Sequence, residues 1–380
     1  MHTCNMDGYG FFHKIAMVIC VLFFCSIVPL VAAGVVEQPS DQEPRMVTDM
    51  RGRSVAIPPH IDGIIALEAN SLRLLTYFQS IGKVIAVEDS GHAREKTPYQ
   101  FFNLATYRIA YPGLRNLPDI GSSSNHEGII AAAPDIIFSS TVDVGQLDQL
   151  QQTLGIPVFA INADVELNNP QLFLEQLRLV GNVLGEDERA EELVAGIEAI
   201  LADLSAHKAK VTQPERAYAG GVMFYGPADL LRTTGDYDPF DFTGTQNVMP
   251  SNPTGNRQPY MTSIEDLIGA NPDHIFVDSA NHALSQAGYM ASKATLDEHV
   301  AAFKHRNVYT TLVYKYYGTN WESQIINIYY VGKVLYPQLY ADVSIEEKAE
   351  EIWQLFFRVP LEYQTVVALQ SPAFGRALWF

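Results

Sequence analysis

Cysteine is nearly absent from this chain and is confined to its beginning. The 380 residues include three cysteines, Cys4, Cys20 and Cys25. All three fall in an N-terminal segment whose stretch from Ile15 to Leu30 carries no charge. Because the rest of the chain has no thiol, it can form neither a disulfide nor a thiolate metal site, and it offers no cysteine nucleophile.

Positive charge is also scarce. Lysine and arginine number 25 against 43 aspartates and glutamates, which gives a formal net charge of −18 at pH 7. Nucleic acids and anionic lipid surfaces attract proteins through a cationic face, so this balance argues against both as partners. A small anionic ligand remains compatible with it, because an arginine inside a cleft reverses the field locally.

Familiar enzyme signatures are missing as well. The sequence has no G-x-S-x-G elbow, no G-x-x-x-x-G-K-[ST] loop, no H-E-x-x-H motif and no G-x-G-x-x-G turn after a strand. The histidines are scattered, and the crowded acids Asp236, Asp238 and Asp241 lack the glycine and terminal glutamate of a calcium loop. We therefore expect no catalytic residues and no dedicated metal site.

The N-terminal segment has the pattern of a secretory signal. Lys14 precedes the uncharged stretch, small residues follow up to Ala33, and polar, proline-bearing sequence comes next. This order predicts that residues 1–33 are a signal peptide cleaved near Ala33 and that the remainder is exported. The uncharged run continues to Val36, so an uncleaved membrane anchor is the alternative.

A repeated phrase is the most informative feature that is present. Residues 127–138 read EGIIAAAPDIIF, and residues 265–276 read EDLIGANPDHIF. In each copy a glutamate opens a short helix, the helix ends ahead of a proline, and an aspartate leads into an apolar strand. The repetition predicts two similar α/β halves with mainly parallel sheets, because buried strands alternating with helices are typical of that class.

One long helix is predicted between the halves. No proline interrupts the chain from Glu186 to Lys210, and leucine and isoleucine recur there at helical spacing. Such a helix would be about 36 Å long, close to the diameter of a domain. We predict an N-terminal lobe at 45–185, a linking helix at 186–210 and a C-terminal lobe at 211–380. An ordinary crossover helix within a single sheet is the alternative.

Local patterns predict several shorter elements. A β-hairpin is expected at 46–57 and a long irregular segment at 89–125. Thr319 and Glu322 have the spacing of a capping box, which predicts the start of a helix there. The last predicted helix is at 344–357.

Aromatic residues and arginines gather at the predicted strand ends and loops. Ligands of α/β proteins bind in the crevice beyond the carboxyl ends of the strands. Aromatic rings there offer broad apolar contact, and arginine pairs with oxygen anions in a bidentate geometry. The predicted ligand-binding residues are Tyr107, Arg108, Tyr225, Arg232, Tyr237, Tyr314, Tyr316 and Tyr317. Core packing is the alternative interpretation for several of them.

Glu127 and Glu265 occupy equivalent places in the two copies of the phrase. A carboxylate in the first turn of a helix is stabilised by the helix dipole by about 0.3 to 1 kcal/mol, and that alone explains a single glutamate. Two glutamates at matched positions can instead present a pair of acidic contacts to a two-fold partner that carries arginines.

In this order the elements resemble the substrate-binding proteins of iron-siderophore, haem and cobalamin ABC importers, the class with two Rossmann-like lobes linked by a helix. The resemblance rests on VTDMRGRSVAI, the E-x-x-I-x-A-x-P-D phrase in both halves and the predicted helix at 186–210. It also rests on NVYTTLVYKYYGTNWESQIINIYYVGKVLYP, which is similar to the iron-complex subgroup. It spans about residues 45–357, and the tail 358–380 runs past the final helix usual in that family.

The resemblance implies an exported, periplasmic receptor without enzymatic activity. It would capture a metal chelate, a ferric siderophore first of all, between its lobes and deliver it to an ABC permease dimer in the inner membrane. The resemblance further implies that Glu127 and Glu265 dock on arginines of the two permease subunits and that closure of the lobes is limited. We expect a monomer without an intrinsic cofactor.

Three alternatives stay open. The same fold can carry cobalamin, haem or a bare metal ion, such as ferric iron held by the adjacent phenols of Tyr316 and Tyr317. A chelatase-like enzyme can use a two-lobed scaffold of the same kind. A surface interaction module without any small ligand is the third possibility.

Overall fold

Short strands alternate with helices along the chain. The computed structural model describes residues 43–88, 104–163, 165–223, 226–313, 315–316, 318–377 and 379–380. The predicted signal peptide, residues 1–33, lies outside the described residues. Within them, no helix is long and apolar enough to cross a membrane.

The described elements are numbered in chain order. The strands are β1 (Arg45–Thr48), β2 (Ser54–Ile57), β3 (Ile64–Ala66), β4 (Val84–Val87), β5 (Ile136–Ser139), β6 (Val158–Ala160), β7 (Arg216–Gly220), β8 (Arg232–Thr233), β9 (Gln246–Asn247), β10 (Tyr260–Met261), β11 (His274–Asp278), β12 (Val308–Thr311) and β13 (Gly375–Arg376). The helices are α1 (Glu68–Tyr77), α2 (Thr106–Ala110), α3 (His126–Ala132), α4 (Val144–Leu154), α5 (Pro170–Leu184), α6 (Asp187–Lys208), α7 (Asp238–Thr243), α8 (Ile264–Ala270), α9 (His282–Ala291), α10 (Lys293–His299), α11 (Ala301–Lys304), α12 (Trp321–Leu335), α13 (Ile345–Phe357) and α14 (Tyr363–Leu369). Single 3-10 turns lie at Ser80–Lys83, Pro112–Asn116 and Ser279–Asn281.

The first lobe is built on a sheet of four parallel strands in the order β4-β3-β5-β6. Successive residues of a strand point to opposite faces of a sheet. Ile65 and Ile137 accordingly pack on one face with Ile129 of α3. Their neighbours Ile64 and Ile136 belong to the larger core on the other face. Both faces are covered, which explains why these strands are continuously apolar.

The second lobe has its own sheet of five strands in the order β13-β12-β11-β7-β9. Strands β7, β9, β11 and β12 pair in parallel, and β13 joins β12 antiparallel at one edge. The two lobes therefore have two separate, mainly parallel sheets and do not share one continuous sheet. The predicted fold class, α/β with two Rossmann-like lobes and one long helix between them, is confirmed.

The repeated phrase folds as predicted in both copies. Helices α3 and α8 have seven residues each and end on a left-handed residue, Ala133 with φ 51° and Asn271 with φ 41°. Pro134 or Pro272 follows directly, and a residue before proline disfavours the helical region. Each helix then leads into an inner strand of its sheet, β5 or β11.

Helix α6 lies at the place predicted for the linking helix and is 22 residues long. It begins with two acids and ends with His207 and Lys208, an order that suits the helix dipole. One side of the helix is buried and carries Leu193, Ile197 and Leu204. The limits 45–185 and 211–380 drawn for the lobes stay predictions.

Helices α12 and α13 join the second lobe to the first. Trp321 at the start of α12 stacks on Phe173 of α5 at 3.9 Å between ring centroids. Phe356 of α13 meets Tyr77 of α1 edge to face at 4.9 Å. All these rings belong to one apolar core that continues through both lobes. Aromatic pairs of this geometry contribute about 0.5 to 1.5 kcal/mol beyond the area they bury.

Two expectations about local structure need correction. The predicted capping box is wrong, because Asn320 is the N-cap of α12 and Glu322 is fully buried and accepts a hydrogen bond from Tyr77. The segment 89–125 is not irregular throughout, since α2 and the Pro112–Asn116 turn lie in its described part. The tail 358–380 is folded as well, with α14 and β13.

Candidate ligand site between the lobes

A small cavity opens where the two lobes meet. The space inside it for water-sized molecules is about 20 Å³. From the first lobe it is lined by α1, through Asn70 and Arg73, and by the segment that follows β6, through Asn162 and Val165. From the second lobe Trp321 lines it. The position beyond the carboxyl ends of β3 and β6 is the one where α/β sheets bind ligands.

Arg73 is the charged residue at the centre of this region. It lies on α1 and is 4% exposed. Its Nη1 donates to Asn70 Oδ1 at 2.7 Å, and its Nη2 donates to the carbonyl of Tyr316 in the second lobe at 2.6 Å. The guanidinium also lies 5.4 Å from the ring centroid of Tyr107. Arg73 therefore spans the gap between the lobes.

Arg108 brings a second buried cation to the same place. It follows Tyr107 on α2, and its Nε donates to the Tyr107 phenol at 2.9 Å. Its guanidinium lies 6.0 Å from the ring of Tyr316. The structure thus brings together three of the predicted ligand residues, Tyr107, Arg108 and Tyr316, and adds Arg73.

A buried carboxyl, that of Glu322, lies close enough to Arg73 to feel its charge. Burial raises the pKa of Glu322, while the hydrogen bond from Tyr77 and the charge of Arg73 act in the opposite direction. Burial also raises the pKa of Tyr77 well above its ordinary value, so its phenol remains a donor. Arg73 and Arg108 thus bring two buried positive charges to the region between the lobes, in a chain of net charge −18.

Residues 111–312 match the family described as periplasmic binding protein. The chain belongs to this family. It is the substrate-binding component of an ABC importer. The molybdate-binding protein MolA of Haemophilus influenzae is 23% identical over 350 residues, which cover 83% of this chain and 91% of that protein.

Solved structures show the same fold. A periplasmic solute binding protein from Veillonella parvula has a TM-score of 0.68 at 16% identity and covers 87% of this chain and 99% of its own. MolA bound to molybdate has a TM-score of 0.65 at 20% identity, with 84% and 99% covered. Helicobacter pylori CeuE with Ni(II) bound has a TM-score of 0.58 at 15% identity, with 87% and 100% covered. These likenesses concern the fold alone.

The other predicted ligand residues of this periplasmic binding protein lie elsewhere in the second lobe or outside the description. Arg232 on β8 donates to the carbonyl of Gly226 at 3.3 Å. Tyr237 is buried and packs against Phe240 of α7, with ring centroids 4.8 Å apart. Tyr225, Tyr314 and Tyr317 lie outside the described residues. The ligand role of all these residues stays a prediction.

The two glutamates of the repeated phrase are exposed. Glu127 lies in the first turn of α3 and Glu265 in the first turn of α8. The equivalent helices therefore present equivalent carboxylates to solvent, one on each lobe.

The described part of the chain has no group of three or more histidines, cysteines or acids that could hold a metal ion.

Proposed function

We propose that this periplasmic binding protein captures an anion between its lobes and that Arg73 and Arg108 hold it. The observation that supports the proposal is that Arg73 lines the interlobe cavity and that Arg108, also buried, shares the ring of Tyr107 with it. Arginine binds oxygen anions through two parallel hydrogen bonds, which are about twice as strong as bonds between neutral groups. The bond from Arg73 to the Tyr316 carbonyl would link both lobes to the same ligand site.

A compact oxyanion of the molybdate type is the first candidate. The guanidiniums of Arg73 and Arg108 lie 5.4 Å and 5.5 Å from the centroid of the same Tyr107 ring, and two such groups suit the several oxygens of one small ion. The similarity to MolA, whose name states that it binds molybdate, favours the same candidate.

An anionic metal chelate such as a ferric siderophore is the second candidate. The half-buried ring of Tyr316 beside Arg108 favours it, because a flat aromatic surface suits the apolar parts of a chelate. Cobalamin and haem would use the same ring without requiring both arginines.

Binding measurements can separate these candidates. We would titrate the mature protein with molybdate, sulfate, a ferric siderophore and haem by calorimetry, using the wild type and the Arg73→Met and Arg108→Met variants. Loss of a charged hydrogen bond is expected to weaken binding of the true anion about 10- to 100-fold. Arg178→Met is the matched control, since Arg178 is exposed on α5 and pairs with Glu191. Equal binding by the wild type and both arginine variants would contradict the proposal.

We further propose that Glu127 and Glu265 contact the two halves of the permease, and that residues 1–33 are removed on export. We expect a monomer, because a permease with two-fold symmetry would contact both lobes of a single molecule. Native mass spectrometry of protein purified from its own host would give the mature N-terminus, the oligomeric state and any bound ligand together.

A further inference from the structure

A groove lies between helices α3 and α4 of the first lobe. Ser124 and His126 line it on the α3 side, and Gln146, Gln149 and Thr153 line it from α4 at the spacing of one helical face. The space inside it for water-sized molecules is about 240 Å³, against about 20 Å³ in the interlobe cavity. No described residue lines both, so the α3–α4 groove is separate from the proposed ligand site.

The α3–α4 groove lies where the connections of the first sheet change direction. Strand β3 continues to β4 on one side of it, and β5 continues to β6 on the other. The segments that follow two such strands diverge and leave a crevice at the carboxyl edge of the sheet. Leu67, directly after β3, and Thr141, shortly after β5, line the groove from this edge.

Hydrogen bonds within the lobe hold both walls of the α3–α4 groove in place. On the α4 side, Thr141 Oγ1 donates to Glu68 Oε1 at 3.0 Å, and the amide of Ser140 donates to Glu68 Oε2 at 2.7 Å. On the α3 side, Asn125 caps the helix by accepting from the amide of Gly128 at 3.1 Å. A surface that is already formed loses little conformational entropy when it binds a partner.

Exposed apolar and acidic side chains border the α3–α4 groove. Val142, in the segment before α4, is 69% exposed, and Ile130, one turn after His126 on α3, is 53% exposed. Glu127 and Asp143 add exposed carboxylates to the same rim. Among the described residues that line the groove itself, none is an acid, a lysine or an arginine. Exposed apolar side chains surrounded by polar ones are typical of protein interaction sites.

We propose that the α3–α4 groove receives a basic segment of the ABC permease, in addition to the contact proposed for Glu127. The inference rests on that proposed contact, because Glu127 lies at the rim of the groove. The carboxylates of Glu127 and Asp143 complement cations on the segment. The hydroxyl and amide side chains inside the groove offer hydrogen-bond donors and acceptors to its peptide groups.

The charge of the chain favours this occupant over others. A second copy of the protein would bring another net charge of −18 and a second acidic rim, so like charges would oppose its entry. An anionic lipid surface is opposed for the same reason. The permease is the protein that a substrate-binding component of an importer must contact in order to deliver its ligand.

A variant that fills the α3–α4 groove tests the inference. Gln149→Trp places a large ring in the groove, and Gln152→Trp is the matched control, because Gln152 is exposed on the same helix and does not line the groove. We would measure the binding of each protein to proteoliposomes that contain the importer. Gln149→Trp should weaken binding about tenfold and Gln152→Trp by less than about twofold. Both melting temperatures should stay within about 2 °C of the wild type, because both positions are exposed.

A cross-link gives a second, independent readout. Residues 34–380 contain no cysteine, so Gln149→Cys or Gln152→Cys gives this part of the chain a single thiol that can carry a benzophenone maleimide. Illumination on the same proteoliposomes should join the Gln149→Cys protein, and not the Gln152→Cys protein, to a permease subunit identified by mass spectrometry. A product between two copies of this chain, or a product within one chain to residues 89–103, overturns the inference.

The groove and the glutamate contact can fail separately. If Gln149→Trp binds the importer like the wild type while Glu127→Lys binds it weakly, the groove inference is wrong and the contact of Glu127 stands. If Gln149→Trp binds weakly while Glu127→Lys binds like the wild type, the contact of Glu127 is wrong and the groove inference stands. Failure of the wild type to bind the importer overturns both.

Discussion

The phenol of Tyr77 in the first lobe donates a 2.7 Å hydrogen bond to Oε2 of Glu322 in the second, and both side chains are buried. The two residues are 245 positions apart in the chain. Tyr77 packs against Phe356 and Phe173 around this bond, so the polar contact lies inside the core shared by the lobes. The interface between the lobes is thus held by a specific buried pair as well as by the linking helix.

The Tyr77→Phe variant should lower stability by about 1 to 3 kcal/mol, because it leaves a buried carboxyl without this donor. Glu322→Gln should cost less, since glutamine keeps an acceptor for the phenol and removes a charge that burial disfavours. Urea unfolding at neutral pH measures the free energy of unfolding of both variants. Tyr260→Phe is the control, because its phenol donates to Pro250 in an exposed setting. A loss for Tyr77→Phe no larger than for Tyr260→Phe would contradict the argument.

Asp238 makes the stability of the protein depend on pH. Burial, followed by the negative charge of Glu166, raises its pKa from 3.8 to about 7, against the influence of Lys315 and Arg257. Between pH 4 and pH 7 the folded protein therefore keeps a proton that the unfolded chain has lost. Stability falls as pH rises through this window and the contribution of Asp238 is gone above about pH 7.

Asp238→Asn should remove this part of the pH dependence. A rise in pKa from 3.8 to about 7 corresponds to about 4 kcal/mol at most. We expect the difference in unfolding free energy between the variant and the wild type to shift in favour of the variant from pH 4 to pH 7. Chemical unfolding at several pH values checks this. Asp342→Asn, at an exposed position, should give a constant difference, and a constant difference for Asp238→Asn as well would refute the assignment.

The docking assignment can be tested by charge reversal. Glu127→Lys together with Glu265→Lys should abolish uptake by the reconstituted importer, because arginine sockets would then face lysines. Affinity for the ligand should stay within about twofold of the wild type, since both residues lie on exposed first turns. Loss of the dipole contact costs only about 0.3 to 1 kcal/mol per helix.

Transport in proteoliposomes and calorimetry with molybdate measure the two effects separately. The double variant Glu175→Lys with Glu198→Lys is the control, because both residues are exposed, on α5 and α6, and the two changes together alter the net charge by the same amount. Normal uptake by the double variant with reduced affinity would reverse the roles proposed for these glutamates.

The repeated phrase was predictable because its signals are local. The proline after Ala133 and Asn271, and the capping side chains of Asn125 and Ser263, specify the ends of α3 and α8 within a few residues. Helix α5 is absent from the predicted elements, although its sequence signals are equally clear. Its sequence PQLFLEQLRLVGNVL has apolar residues at helical spacing and begins with proline, and Gly185 follows its end.

The site was less predictable because it is formed by contacts between distant segments. Glu322 and Thr319 have the spacing of a capping box, but Tyr77 from the other lobe draws Glu322 into the core. Arg73 was missed, and the one available signal was a lone charge within the apolar stretch SLRLLTY of α1. Its partner Tyr316 lies 243 residues away, a distance over which periodicity carries no information.

The tail at 358–380 lies beyond the part of the chain that resembles the family, yet it packs against the second lobe. It places β13 at the edge of the second sheet and brings Trp379 into the second-lobe core, where its ring lies 5.6 Å from that of Tyr289. Trp379 Nε1 donates to Nε2 of His282 at 2.7 Å. The apolar character of the tail is therefore that of a buried edge, and it covers backbone groups of β12 that would otherwise be an open strand edge.

Trp379→Ala should consequently lower stability by about 3 to 5 kcal/mol, the usual cost of removing a large buried aromatic ring. Trp379→Phe keeps most of the packing and loses the bond to His282, so about 1 kcal/mol is expected. Urea unfolding followed by circular dichroism gives both values. The neighbouring Phe380 is 42% exposed, so Phe380→Ala should cost clearly less than Trp379→Ala. If all three variants were as stable as the wild type, the tail would not be part of the folded lobe in solution.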